Sequence, residues 1–195
     1  ELYRVLAAGG DPGKVVFAGV GKTEAEIEYA LREGILMFNV ESRPELDCID
    51  RAARGMGLQA RVALRLNPDV DARTHRKTTT GKGLTKFGMG SAEIEEIAGR
   101  RASWPSVRIC GLHLHLGSPI YSAEPYRQAL ERALPVIDRM RELGCPLERV
   151  NIGGGYCISY TGEEVIGPRQ YADALKSCLE NQGVPLSLSP AGTLL

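Results

Sequence analysis

Apolar and polar positions alternate in blocks along this chain. Short runs rich in β-branched and aromatic residues are separated by longer stretches in which apolar residues recur every three or four positions. The first run covers 15–20. The stretch 23–32 then has helical spacing, with Thr23 placed to cap it. Glu24 and Glu26 fall in its first turn, where the helix dipole favours carboxylates, and Gly34 ends it. A second run covers 35–40, and Ser42 caps a helix reaching about Arg54, ahead of Gly55 and Gly57. The third run, 61–67, leads into a long polar loop over 68–90. Ser91 opens a helix through 102, and the fourth run covers 107–116. A long helix is predicted over 121–143; Pro125 suits its first turn, whereas Pro135 is expected to kink or break it. The fifth run, 149–152, precedes three consecutive glycines, a helix follows over 168–181, and the last run covers 185–189.

Six apolar runs alternating with helices predict a parallel sheet built from βα units. Polar and glycine-rich residues follow the runs: Gly19-Val20-Gly21-Lys22, Asn39 with Glu41-Ser42, Asn67 with Asp69, His115 with Gly117-Ser118, and Gly153-Gly154-Gly155. In TIM barrels and in doubly wound sheets alike, the carboxyl ends of the strands carry the site. The repetition favours a barrel, but a complete (β/α)8 barrel has eight strands and typically ~250 residues. The expectation is an α/β fold: an incomplete TIM (β/α)8-type barrel of about six parallel strands, forming one partial domain over 1–195. The opening segment 2–8 reads as the tail of a helix, which puts the remaining strands before Glu1 or one at each end.

Composition narrows the function. Hydrophobic residues make up 43% and charged residues 25%, which excludes a disordered chain. Lys+Arg and Asp+Glu both number 24, so the formal charge is zero and a general affinity for nucleic acid or acidic membrane is not expected. No apolar run approaches the ~20 residues of a membrane span. The opening Glu1-Leu2-Tyr3-Arg4 has no basic-then-apolar start, and Glu1 is not a natural initiator. The five cysteines are widely spaced without a CxxC pair, which suits free buried thiols in a reducing, cytoplasmic setting.

Four segments carry candidate chemistry. His113 and His115, two apart in a run, share one face, toward either the barrel interior or the helices. They could bind metal, stack on a planar cofactor or act as acid and base, or form a hydrogen-bonded core pair. No acidic partner for a metal stands at the end of that run. Gly153-Gly154-Gly155-Tyr156 forms either a tight turn or a nest of backbone N–H groups able to hold a phosphate, and it is neither a P-loop nor a GxGxxG fingerprint. Thr80-Gly81-Lys82 with Lys86-Phe87-Gly88 reads as a solvated basic loop, a mobile lid or an anion contact. Arg65 and Asn67 share a face, and an inward arginine needs a histidine, a cofactor oxygen or a carboxylate as partner.

Together these segments resemble the fold-type III pyridoxal-phosphate (PLP) decarboxylases, the ornithine/diaminopimelate/arginine group with an alanine racemase-like barrel. The matching stretches, in order, are 16–23, 38–42, 64–70, Thr80-Gly81 with Lys86-Phe87-Gly88, 111–118 and 153–155. Asn67-Pro68-Asp69-Val70 and the paired histidines favour the diaminopimelate branch. The resemblance implies a PLP-carrying barrel followed by a β domain, neither complete within 1–195. It implies that His115 stacks on the pyridine ring with Arg65 beneath it, making these two the catalytic candidates. Ser118, Gly153, Gly154 and Gly155 would hold the phosphate, Gly155 above all. Ser189 and Gly192 fall at cofactor-binding positions where the family carries Glu-Pro-Gly-Arg and this chain has Ser189-Pro190-Ala191-Gly192. The carboxylate expected to face the pyridine nitrogen is thus replaced, and so is the arginine. The lysine that links to the cofactor is expected upstream of Glu1; Lys22, Lys82 and Lys86 belong to other motifs. The implied activity is decarboxylation of meso-diaminopimelate to lysine, in lysine biosynthesis, by a cytoplasmic homodimer without a metal, and the chain alone is expected to be inactive. Two other readings stay open: a non-catalytic PLP-barrel homologue acting through a partner, and a metal-dependent TIM-barrel hydrolase using His113 and His115.

Overall fold

Five parallel strands lie side by side in the order in which the chain makes them: β1 (Val16–Phe17), β2 (Met37–Val40), β3 (Ala60–Leu66), β4 (Val107–Leu114) and β5 (Arg149–Asn151). The computed structural model describes residues 1–70, 87–159, 162 and 164–179. The helices are α1 (Leu2–Ala7), α2 (Glu24–Arg32), α3 (Arg43–Gly55), α4 (Ser91–Gly99), α5 (Glu124–Glu142) and α6 (Pro168–Leu179). Strand order that never reverses is the progression of a (β/α) barrel; a doubly wound sheet would switch direction. The run over 185–189 lies outside the described residues, as do His75, Thr80, Gly81, Lys82, Lys86, Ser189 and Gly192.

The helices begin where local chemistry dictates. Thr23 and Glu26 form a reciprocal capping box on α2, and the Ser42 hydroxyl accepts from the Glu45 N–H at the start of α3. The expected break at Pro135 does not occur, since α5 is one helix through Glu142. Pro135 and Glu131 are both exposed. The carbonyl left without its intrahelical donor therefore faces water, while Tyr126, Leu130, Ala133, Ile137 and Met140 keep the opposite face buried.

The two faces of the sheet differ in kind. Phe38, Val40, Val62, Leu64, Leu66, Leu112 and Leu114 pack outward against Ile27, Ile49, Ile94, Leu130 and Ile137 of the helices. The inner face carries the buried polar side chains Asn39, Arg65 and His113. Register pairs Arg65 with His113, and His113 with Asn151, so these three form one layer across β3, β4 and β5. A register shift sets this layer's phase. Val62 pairs with Ile109 but Ala63 pairs with Gly111, which leaves Cys110 as an extra residue on β4. Gly111 has little alternative there, because a Cβ would lie 2.9 Å from the Arg149 carbonyl oxygen and 3.1 Å from the Ala63 Cβ.

Lys22 ties the first units together. Its side chain is 1% exposed, and its Nζ donates to the carbonyls of Gly19 (2.7 Å) and Asn39 (2.8 Å) and to Glu45 Oε1 (2.6 Å). Three acceptors satisfy all three ammonium donors. Burial pushes the Glu45 carboxyl above its ordinary pKa, and Lys22 opposes that shift. Lys22→Met is expected to lower unfolding free energy by about 3–5 kcal/mol, the usual penalty for breaking one side of a buried pair. Urea unfolding measures this, and adding Glu45→Gln should recover part of the loss.

Candidate functional site

The polar inner layer meets the strand ends at Arg65. This side chain is 7% exposed, and its Nη1 donates to both oxygens of Glu41, at 2.6 and 2.7 Å. Of the partners open to an inward arginine, the structure supplies a carboxylate. Glu41 is itself held, because its backbone N–H donates to Glu45 Oε2 at 3.0 Å. The Arg65 guanidinium also lies over the Phe87 ring, 5.5 Å from its centroid, and its Nη2 reaches the His115 carbonyl at 3.5 Å.

His113 and His115 both turn inward beside this ion pair, their rings 6.5 Å apart and tilted by 24°. Burial holds His113 well below the ordinary imidazole pKa, and the Arg65 charge adds to that effect. Its Nδ1 is buried and has no hydrogen-bond partner among the described residues. His115 is lowered to about 4 by the same two causes, burial first and Arg65 second. Both rings are therefore neutral at pH 7. The Nδ1 of His115 accepts from the Gly154 N–H at 3.3 Å, so its proton sits on Nε2. Among the described residues no third His, Cys, Asp or Glu joins the pair in a metal-binding group.

The three glycines press against the end of β4. Gly153 and Gly155 have φ of +73° and +95°, a conformation that disfavours any side chain. A Cβ on Gly153 would lie 2.3 Å from the Leu114 carbonyl oxygen, and one on Gly155 only 2.0 Å from that of Gly117. The Gly153 N–H donates to Asn151 Oδ1 at 2.9 Å, and the Gly154 N–H is taken by His115. The Gly155 carbonyl accepts from the Ile120 N–H at 2.8 Å, which fixes the loop bearing Ser118 beside the nest. That leaves the Gly155 amide without a partner among the described residues, next to an exposed Ser118. The arrangement suits an anion such as a phosphate, since it presents a backbone donor with no side chain in the way. A flat neutral imidazole at the same place suits the face of an aromatic ring.

Of the residues singled out from sequence, the structure brings together Arg65, His113, His115, Ser118, Gly153, Gly154 and Gly155. Ser189 and Gly192 lie outside the described residues. Sequence reasoning did not single out Glu41 as the partner of Arg65, although its spacing of two from Asn39 puts both on one strand face. Nor did it single out Tyr126, whose hydroxyl donates to the Gly154 carbonyl at 2.7 Å. Nothing local to a buried helical tyrosine announces that contact.

Comparison with known proteins agrees with this geometry. The profile of the pyridoxal-binding domain of pyridoxal-dependent decarboxylases matches residues 1–187. The diaminopimelate decarboxylase of Neisseria meningitidis serogroup A is 43% identical over 195 residues, covering 100% of this chain and 48% of the relative. That of Pseudomonas aeruginosa is 40% identical over 195 residues, with 47% of its length covered. The chain thus spans about half the length of the curated relatives it matches. Among solved structures, diaminopimelate decarboxylase from Helicobacter pylori, complexed with L-lysine, superposes with a TM-score of 0.89 at 36% identity, covering 94% of this chain and 46% of that one. An arginine decarboxylase of Paramecium bursaria Chlorella virus shares the fold at a TM-score of 0.72 and 20% identity. The layered strands, the glycine nest and the profile match converge: this chain belongs to the pyridoxal-dependent decarboxylases, of which it carries the pyridoxal-binding domain.

Proposed function

We propose that this chain seats pyridoxal 5'-phosphate in an enzyme that decarboxylates meso-diaminopimelate to lysine. The observation that carries this reading is the Gly153–Gly155 nest, with its unpartnered Gly155 amide and no room for a Cβ, set against a neutral His115. The relatives named diaminopimelate decarboxylase support the choice of substrate.

Each residue then has a task. Gly155 and Ser118 would hold the cofactor phosphate, with Gly153 and Gly154 shaping the nest around it. His115 would face the pyridine ring, and its neutrality would avoid placing a full charge there. Arg65, locked by Glu41, keeps a fixed guanidinium beside His115. When bound, the cofactor supplies an electron sink for the carbanion left by loss of CO₂. The family resemblance would give Ser189 and Gly192 cofactor-binding positions, where a serine cannot supply the charge of a carboxylate. Among the described residues four cysteines are free, three of them buried, which supports a cytoplasmic setting; the working form is proposed as a homodimer.

The direct test is CO₂ release from meso-diaminopimelate by the full-length protein with added PLP. Turnover of ornithine or arginine in its place overturns the substrate. Cofactor binding without any turnover would point to a non-catalytic homologue. The 195-residue chain on its own is expected to stay at the background of free PLP. Among its described lysines, Lys22 is fully engaged and Lys14 and Lys176 are exposed.

Two further outcomes follow from the geometry. Gly155→Ala is expected to abolish PLP binding in an absorbance titration and to cost roughly 1–3 kcal/mol of stability, the range for a strained backbone. The two histidines also give stability a pH dependence. Unfolded, each imidazole takes up a proton near 6.5; folded, His115 does so only near 4 and His113 also well below 6.5. The unfolded state therefore binds more protons in that window, so stability falls as pH drops from 6.5 toward 4 and this contribution is level above it. Unfolding midpoints measured across the window should show a shallower slope in His115→Gln, and an unchanged slope would refute the assignment.

A further inference from the structure

We propose that Tyr126 is a positioning residue for the phosphate nest, aiming the Gly155 amide by holding the opposite end of the same peptide. The proposal rests on the reading of the nest as the cofactor seat. Tyr126 lies on the inner face of α5 and is 2% exposed. Its hydroxyl donates to the Gly154 carbonyl at 2.7 Å. That carbonyl and the Gly155 N–H belong to one peptide group, and the only cis bond among the described residues is Ser118–Pro119. In a trans peptide the C=O and N–H point in opposite directions. A carbonyl drawn toward the helix layer by Tyr126 therefore turns the Gly155 N–H away from that layer.

Gly154 is a junction in a second sense. Its own N–H donates to His115 Nδ1 while its carbonyl accepts from Tyr126. One glycine thus links the phenol on α5 to the imidazole proposed to face the cofactor ring. A glycine-rich loop has no side chains to hold its peptide planes, so orientation has to come from outside. The phenol is well fixed for this purpose. Its ring meets Tyr171 edge-on at 4.9 Å, and Tyr171 meets Tyr156 at 5.4 Å. Tyr156 in turn donates to the Ile166 carbonyl, so tyrosines from α5, α6 and the glycine loop brace one another. Packing alone would be served equally by phenylalanine; the hydroxyl adds the bond to Gly154 and a side-chain hydrogen bond with Tyr171. Burial raises the phenol's pKa, which keeps it a donor throughout the neutral range.

Tyr126→Phe in the full-length protein is the test, because it removes one oxygen and keeps the ring. Absorbance titrations with PLP and with pyridoxal, which lacks the phosphate, separate positioning from general stability. The expected result is a roughly tenfold weaker Kd for PLP with a much smaller change for pyridoxal, the size of one lost oriented hydrogen bond. A lower melting temperature with an unchanged PLP-to-pyridoxal ratio would show a structural role only and overturn the proposal. Should the unaltered protein show no preference for PLP over pyridoxal, the cofactor-seat reading fails, and the proposal with it. Amide exchange in the unaltered protein covers a variant that does not fold. Inorganic phosphate is expected to slow exchange at Gly155, and no slowing there would equally overturn the proposal.

Discussion

The ion pair between Arg65 and Glu41 is the constraint around which the inner face is arranged. A guanidinium at a strand end inside a barrel is tolerable only with a carboxylate in direct contact. Glu41 meets that need at 2.6 and 2.7 Å but is itself nearly buried, so it must be oriented in turn. Glu45 does this through the Glu41 backbone N–H, and Lys22 balances Glu45. Two ion pairs, Lys22 with Glu45 and Arg65 with Glu41, thus run from the loop after β1 through α3 and the end of β2 into β3, joined by the bond from the Glu41 backbone N–H to Glu45. Each charge is buried or nearly so, and each is compensated within its own pair. The series explains why Lys22 lies in a glycine-rich loop yet has no donor to spare for an anion.

The same charge also reaches the histidines. Burial, with the Arg65 charge adding to it, keeps both imidazoles neutral. A charged His115 could not remain in the hydrogen bond it makes, because a protonated Nδ1 cannot accept from the Gly154 amide. Neutrality, tautomer and contact with the nest are one fact seen from three sides. Among the described residues the buried Nδ1 of His113 and Oδ1 of Asn39 lack partners, so the inner face they form is polar without being fully paired.

Much of this was legible in the chain. The period of the apolar runs gave β2 through β5 to within a few residues, and Thr23 and Ser42 marked α2 and α3 because caps are local chemistry. Pro135 did not break α5, because a proline's effect depends on which side of the helix it occupies, and that side is set by packing. Glu41 was visible as a strand-end carboxylate but not as the partner of Arg65, since the two are 24 residues apart. The tie from Tyr126 to Gly154 spans 28 residues and leaves no trace in either segment. The direction of His113 and His115 was undecidable for a sharper reason. Strict alternation cannot put Ile109, Leu112 and Leu114 on one face, and only the extra residue at Cys110 allows it.

That extra residue also bears on how the strand can change over evolutionary time. Cys110 has no counterpart on β3, and its thiol contacts the Val62 carbonyl at 3.6 Å. On either side of it the strands are in plain register: Arg108 and Ile109 below, Gly111 through Leu114 above. Removing this one position would join the two halves into a regular strand with every side chain still on its present face. Removing any position between Gly111 and Leu114 would instead exchange inner and outer residues relative to the layer they occupy. Length variation among related chains is thus permitted at one point of β4 and forbidden just beyond it. An alignment gap placed at Cys110 preserves the facing of every side chain, whereas the same gap two residues later would describe a protein with its histidines facing its helices.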